Sequence, residues 1–322
     1  MSTIFEDDAE LAELRQRLQH TDSTVRRIAV LELADWAGDE HAPLFIEALR
    51  DPAATVRAEA ARALEAFESP DGAAGLVVLL NDEDADVRAA AAQSLSELKQ
   101  QSSAAALLPH AAQAQPFARA AVLRALRELR VADSFAPALA ALADADAIVR
   151  REAVAVLGYL KQADALPALT QRLSHDTDAE VRRAAAGALG FAGGDLALPA
   201  LLDGLRDTAW QVREEAATTL GKLGLQQAAT ALIDVLQDEY WQVRLRAARS
   251  LGRLRYLAAL PALLPVLAHP ISNLRKEAAL ALGELGGAAA LPALERSADD
   301  ADPEVRKAVR LALSQIRAAQ GK

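Results

Sequence analysis

The dipeptide Val-Arg returns along this chain at a nearly fixed interval, at Val25-Arg26, Val56-Arg57, Val87-Arg88, Val149-Arg150, Val181-Arg182, Val212-Arg213, Val243-Arg244 and Val305-Arg306. Intact neighbours lie 31 residues apart, with one step of 32 into Val181, and Ala118-Arg119 and Leu274-Arg275 fill the two gaps in register. Ten units result. A period of this length marks a supersecondary element that stacks on copies of itself, so the 322 residues are read as a single array spanning 1–322 and not as two or three globules. The units run roughly over 10–38, 41–68, 72–99, 103–130, 134–160, 164–192, 196–223, 227–255, 258–285 and 289–317.

Each unit predicts two helices. The second starts at the Val-Arg, and its apolar residues fall at i, i+4, i+8 and i+11, as in Val243, Ala247, Leu251 and Leu254, one stripe of a 3.6-residue period. The first is shorter and often opens with proline in its first turn, where a missing N–H costs nothing: Pro43, Pro167, Pro199, Pro261 and Pro292. Glycine recurs at matching positions of units five to nine, Gly158, Gly190, Gly221, Gly252 and Gly283. Because glycine inside a helix costs roughly 1 kcal/mol relative to alanine, its recurrence predicts close approach of a neighbouring helix there. Hydrophobic residues are 52% of the chain and aromatics only 4%, which suits closely packed Ala-, Leu- and Val-rich helices. No alternating β-branched runs compete, and the fold class is all-α.

The segments Asp207, Trp210, Val212, Arg213, Ala216, Ala217, Leu220, Gly221 and Asp238, Trp241, Val243, Arg244 resemble the HEAT-like repeats of phycobilisome lyase subunits. The resemblance extends from about Glu10 to Arg317 and is strongest in units five to nine; unit four departs most, with Gln113 and Ala118 in place of Asp and Val. It implies a right-handed α-α superhelix of about ten two-helix repeats, with the second helices lining a concave face. It also implies that the Asp and Arg are structural. Asp51, Asp82, Asp144, Asp176, Asp207, Asp238 and Asp300 each precede their Val by five residues, where a carboxylate can accept N–H bonds at the helix start and meet an Arg of its own or the adjacent unit.

Little in the chain specifies a reaction. There are no cysteines, which excludes disulfides, thiolate metal sites and a cysteine nucleophile. The histidines His20, His41, His110, His175 and His269 are scattered, with His20 and His269 in the turn position usually held by Asp, so no metal site is expected. Gly193-Gly194 and Gly286-Gly287 read as helix-ending glycines and not as phosphate loops. Acidic turns such as Asp82, Glu83, Asp84 and Asp86 complement helix N-termini. No catalytic residue and no cofactor is assigned. The acidic start of the chain and the lack of an apolar run of ~18 residues point to a soluble, cytoplasmic protein with no membrane partner. A net charge of −10 disfavours nucleic acid.

The candidate binding residues lie between Tyr159 and Tyr256. One column of the second helices carries Tyr159, Phe191, Lys222 and Arg253, another Thr218 and Arg249, a third Glu152, Glu215, Arg246 and Glu277, all expected on the exposed face. Trp210 and Trp241 stand two residues before their Val, on the turn edge, with Tyr240 adjacent and Tyr256 after the helix of unit eight. Trp36 and Phe67 are core candidates. Aromatic and Arg residues dominate interface energetics, while the competing reading of the two tryptophans is packing on the next turn. Arg246, Arg249 and Arg253 share one helix face that could capture an acidic group, or could be neutralised by Glu215 and Glu277. The leading reading is a noncatalytic scaffold or assembly factor that holds a protein partner in the groove. The resemblance offers a bilin lyase or isomerase subunit, or a chaperone of a cofactor-bearing protein, whose groove takes a planar or acidic small molecule. A nucleic-acid enzyme on HEAT-like repeats is the third class, opposed by the acidic charge.

Overall fold

The computed structural model describes residues 11–36, 38–193 and 196–320, apart from the side chain of Trp36, so that core candidate and Gly194 lie outside the described residues. Every regular element among them is helical. The chain divides into two bodies, Met1–Leu160 and Lys161–Lys322, and repeats one to five fall in the first and six to ten in the second.

Within a repeat the first helix is short because its sequence restarts it. A 3-10 turn such as Gln226–Ala228 or Ala288–Ala290 leads into Ala229–Val235 or Leu291–Arg296, and proline stands in the first turn at Pro43, Pro167, Pro199, Pro261 and Pro292. Proline fixes φ near its helical value and withholds only an N–H that the first turn leaves unpaired. The second helix is longer. Pro116–Leu129, Trp210–Leu223, Trp241–Leu254 and Ser272–Leu285 each run 14 residues and stop at a left-handed residue: Arg130, Gly224, Arg255 and Gly286. Gly286 thus ends its helix as expected. Arg130 and Arg255 do the same work at a steric cost that glycine avoids, roughly 1–2 kcal/mol each.

The apolar stripes meet between helices. In the first body Leu33, Phe45, Leu76, Leu95, Leu107 and Leu126 are fully buried, and Phe67, as expected, is core, its ring stacked on Phe45 at 5.1 Å. In the second body Leu169, Leu201, Leu232, Leu251, Leu282 and Ile316 play this part. Each such side chain contributes about 1.5–3 kcal/mol on burial, but one hairpin has too little interior to bury its own stripe.

Burying the stripes brings successive turns together, and the Val-Arg arginine solves the polar problem this creates. Arg57 donates Nη1 to the carbonyls of Asp51 and Pro52 in its own turn, and Nε and Nη2 to the two carboxylate oxygens of Asp82 in the next repeat at 2.7 and 2.8 Å. Asp82 in turn accepts the N–H of Asp84. The same fork joins Arg26 to Asp51 and Arg119 to Asp144 in the first body, and Arg182 to Asp207, Arg213 to Asp238 and Arg275 to Asp300 in the second, with bonds of 2.6–2.9 Å. Of the two pairings open to the Arg, the adjacent-repeat one is realised. His269 imitates half of the Asp role: its Nδ1 accepts the N–H of Ile271, as the Nδ1 of His20 accepts that of Asp22. It offers no carboxylate to Arg244, whose Nη1 lies 3.5 Å from its Nε2. Burial, Arg244 and Arg275 all hold the His269 pKa below its ordinary value.

The recurrent glycines behave unequally. A Cβ on Gly252 would lie 2.9 Å from the Cα of Ala281, and one on Gly283 would lie 2.8 Å from the Cα of Ala312, so backbone blocks both. A Cβ on Gly190 would meet only the Thr219 methyl at 3.9 Å, an ordinary contact, and the close-approach expectation fails there.

Gly283→Ala should therefore destabilise the protein by ~1–3 kcal/mol, whereas Gly190→Ala should be neutral or stabilise it by up to about 1 kcal/mol, in urea titrations followed by circular dichroism. Equal effects at the two sites would contradict the packing described.

The forks also set an acid response. Burial pushes the carboxyls of Asp51, Asp144, Asp207 and Asp238 up, but bonds from Arg and from backbone N–H outweigh it; at Asp82 and Asp300 the Arg bond is the larger influence, and all six sit below the usual carboxylate range. A depressed native pKa contributes stability that is present above the unfolded value, about 3.9, and is lost as pH falls through the native one. Thermal melts should show no loss from these groups between pH 7 and 5 and a steep loss below about pH 4; an unchanged melting temperature down to pH 3 would contradict the assignment.

Candidate partner-binding face

In the second body the aromatic residues of the turn edge assemble around a fork. Trp210 is the first residue of Trp210–Leu223, and Tyr240 is the cap residue preceding Trp241–Leu254. One 31-residue period separates two such starts, less one residue, which brings the rings together: centroids 5.5 Å apart and planes 16° from parallel. The Arg213 guanidinium lies 5.6 Å from the Tyr240 centroid while it grips Asp238. Stacked rings and a cation over a ring each add about 0.5–1.5 kcal/mol to such an edge. Trp210 is half-buried, so the packing reading describes its contact with the next turn; Tyr240 remains 39% exposed, and Trp241 is half-buried.

The basic face of Trp241–Leu254 resolves residue by residue. Arg246 Nε donates to Glu214 at 2.9 Å, and Arg249 donates Nε and Nη2 to Glu277 at 2.8 and 2.7 Å. Neutralisation is therefore real for these two, with Glu277 as expected and Glu214, not Glu215, as the second acid. Arg253 is exposed and makes no hydrogen bond or ion pair among the described residues, and Lys222 and Arg255 are exposed as well. Nearby, burial and the charge of Glu277 push the Glu284 carboxyl up, against Arg253, Arg255 and Arg249, which pull it down. Tyr256 is half-buried beside the end of this helix.

Two expected columns are corrected. Glu152 and Glu277 do not stand on an exposed face: each is only 5% exposed, because the Arg one repeat earlier, Arg124 and Arg249 respectively, reaches over 28 residues to cover it. This is a second ladder, invisible in the column of residue types because Glu215 and Arg246 occupy the same position elsewhere. Phe191 does not continue the helix face of Lys222 and Arg253 either. The α-helix of repeat six, Ala179–Ala188, stops early and gives way to a 3-10 turn, Leu189–Phe191, in a glycine-weakened stretch holding Gly187, Gly190 and Gly193; Phe191 is half-buried there.

In the first body Tyr159 is 46% exposed and clasped by two cations, with the guanidinium carbons of Arg127 and Arg130 at 5.8 and 5.1 Å from its ring centroid. Arg130 reaches this place because it is the left-handed residue that ends Pro116–Leu129, a cue the residue pattern does not carry without a glycine. Chemically, these faces offer open ring surfaces and guanidinium or ammonium donors, suited to carboxylates and apolar side chains. Among the described residues no three or more His, Asp or Glu side chains are grouped to hold a metal ion, and no helix is long and apolar enough to cross a membrane.

Comparison with known proteins agrees with this architecture. Over residues 11–96, 42–127, 135–221, 195–242 and 229–314 the chain matches the model for HEAT repeats. No curated protein matches it. Among solved structures it is similar to the Escherichia coli protein YibA, with 20% identity over 93% of this chain and 99% of that one and a TM-score of 0.53. It is similar to a mutant of Kap121p, with 17% identity, 95% of this chain and 41% of that one, and a TM-score of 0.68. Kap95p, in a structure described as Kap95p binding RanGDP, gives 15% identity, 97% and 50% coverage and a TM-score of 0.65. At these identities the likeness concerns the fold. With the family model laid over most of its length and a guanidinium–carboxylate fork between successive turns, the chain belongs to the HEAT-repeat family.

Proposed function

We propose that this protein is a noncatalytic interaction scaffold that holds an acidic segment of a partner protein against the second-helix face of repeats seven and eight. The observation that carries the reading is the contrast along one helix: Arg246 and Arg249 donate to Glu214 and Glu277, while exposed Arg253 makes no hydrogen bond or ion pair among the described residues and meets Glu284 only through its charge, with Lys222 and Arg255 exposed as well. Exposed charges contribute little to stability, so the exposed cations Arg253 and Arg255 at the C-terminal end of Trp241–Leu254 are suited to recognition more than to stability. Kap95p, on the same fold, is described as binding RanGDP, which supports the scaffold class without indicating the partner here. Tyr159 of the first body, with the Arg127 and Arg130 guanidiniums near its ring, is a separate candidate contact in this proposal, and Phe191, Trp210, Trp241 and Tyr256 contribute apolar surface on the second body.

The finer resemblance to phycobilisome lyase repeats would instead place a tetrapyrrole against these rings, its propionates on Arg253 and Lys222. The two readings separate in one comparison. Proteins retained from native extract by the wild type should be depleted about tenfold by a Lys222→Glu/Arg253→Glu variant whose thermal melt is unchanged, since both side chains are exposed and unpaired. An identical retained set for the two proteins contradicts the scaffold reading, and a red shift of added tetrapyrrole with wild type alone transfers the site to the cofactor reading.

A further inference from the structure

Within the second body the fork joins repeats six and seven, seven and eight, and nine and ten, through Asp207, Asp238 and Asp300. Between repeats eight and nine the column of fork aspartates holds His269, so a side chain that titrates near neutrality stands where the other joints have a carboxylate. Its bonds fix its protonation state. The Nδ1 accepts, at 3.1 Å, the N–H of Ile271, the cap residue of Ser272–Leu285, and a ring nitrogen that accepts carries no proton. The neutral ring therefore holds its hydrogen on Nε2. That nitrogen lies 3.5 Å from Arg244 Nη1, one donor opposed to another, and no good hydrogen bond crosses the joint there. Arg244 has turned accordingly: Arg213 and Arg275 place Nε on a carboxylate, whereas Arg244 donates Nε to the Asp238 carbonyl of its own turn.

A second proton on this ring finds no free anion. On the side of repeat eight stands Arg244, and the Asp238 carboxylate of that turn is held by Arg213. On the side of repeat nine stands Arg275, whose Nη1 donates to the His269 carbonyl at 2.9 Å. Asp300 of repeat ten is gripped by the Nε and Nη2 of the same Arg275. The half-buried imidazole thus faces two guanidiniums, and burial first, then Arg244 and Arg275, hold its pKa down. His20 makes the same turn bond, but it is exposed and has Asp22 beside it.

We infer that the joint between repeats eight and nine is pH-sensitive: a proton on His269 Nδ1 removes the acceptor of the Ile271 N–H, sets a third cation against Arg244 and Arg275, and opens the turn side of the joint. The proton comes from solvent and stays on the ring, and the freed N–H turns to water. Arg249 still bridges to Glu277 across the same joint, so the opening is local and the two repeats stay together. Because the closed turn disfavours the charged ring, the open form binds the proton more readily and acid shifts the equilibrium toward it. His269 contributes fully to closure above the ordinary imidazole value of about 6.5, and that contribution is lost as pH falls through the lower value of the closed form. This window lies above the one in which the aspartate forks respond, and the joint acts in the protein alone, without a partner.

The test uses the full-length protein. Magnetic resonance of the histidine ring nitrogens, with the His269 signals identified by their loss in His269→Asn, reads tautomer and titration directly in the wild type. Neutral His269 should carry its proton on Nε2 and titrate below about 6.5. Amide exchange reads the joint, with repeats six and seven as internal reference. Between about pH 7.5 and about pH 5, protection of the amides from Ile271 to Arg275, corrected for intrinsic rates, should fall at least about threefold in wild type. His269→Asn keeps an acceptor for the Ile271 N–H and does not titrate, and His269→Asp offers Arg244 the carboxylate found at the other joints; neither should show this loss. A proton on Nδ1 of the neutral ring, a His269 pKa at or above about 6.5, or a loss of protection that is absent from wild type or shared by His269→Asn overturns the inference.

Discussion

The fork from one repeat's arginine to the next repeat's aspartate is where the demands of this architecture meet. Apolar burial draws adjacent hairpins together, and in doing so it places turn carbonyls and amides where water is scarce, at an interface that must still satisfy them. One guanidinium answers three needs: it donates to two carbonyls of its own turn, binds a carboxylate bidentately, and leaves that carboxylate able to accept the N–H of the residue that precedes the following helix. Lysine has neither the planarity nor the number of donors for this. The fork therefore fixes the register in which hairpins stack as well as adding to their cohesion, and the second ladder, Arg124 to Glu152 and Arg249 to Glu277, repeats the device on the helix face.

What could be read from residues alone follows from repetition. Val-Arg, the turn Asp, the first-turn prolines and the alanine-rich stripe each recur often enough that their positions define one another, and His20 and His269 were recognisable as substitutes because they fall in the Asp column. Properties that depend on a particular pair of neighbours were not legible. Glu152 and Glu277 share a column with Glu215 and Arg246, and only the presence of an arginine 28 residues earlier decides that they are buried. The choice of Glu214 over Glu215 as the Arg246 partner depends on how far one helix face is turned toward the next. Phe191 was placed by assuming that every second helix runs its full length, and in repeat six helix propensity is too low for that. Arg88 itself fits the consensus, and only Gln113, in place of a carboxylate 25 residues on, sets it apart.

A framework that pairs its charges this consistently makes its exceptions informative. Surface cations in an ordinary globule carry little meaning, because their pairing is variable and weak. Three departures stand out against the two ladders: an exposed arginine on the helix where Arg246 and Arg249 are neutralised, an exposed tyrosine with two guanidiniums near its ring, and a half-buried arginine without its carboxylate. They lie on side chains that the fold does not need for its own closure, which is how a stack of nearly identical units acquires distinct places along its length.

The central claim, that adjacent repeats are energetically coupled through the fork, is tested most directly by a double-mutant cycle on Arg182 and Asp207, which form such a pair in the second body at 2.7 and 2.9 Å. The turn bond that Asp207 accepts from the N–H of Ala209 cancels within the cycle, so that the residual reports the inter-repeat contact alone. Stabilities of the wild type, Arg182→Leu, Asp207→Ala and the double variant from urea denaturation should give a favourable coupling of ~1–3 kcal/mol. Additivity within about 0.5 kcal/mol would show that the fork accompanies the stacking of these hairpins without contributing to it.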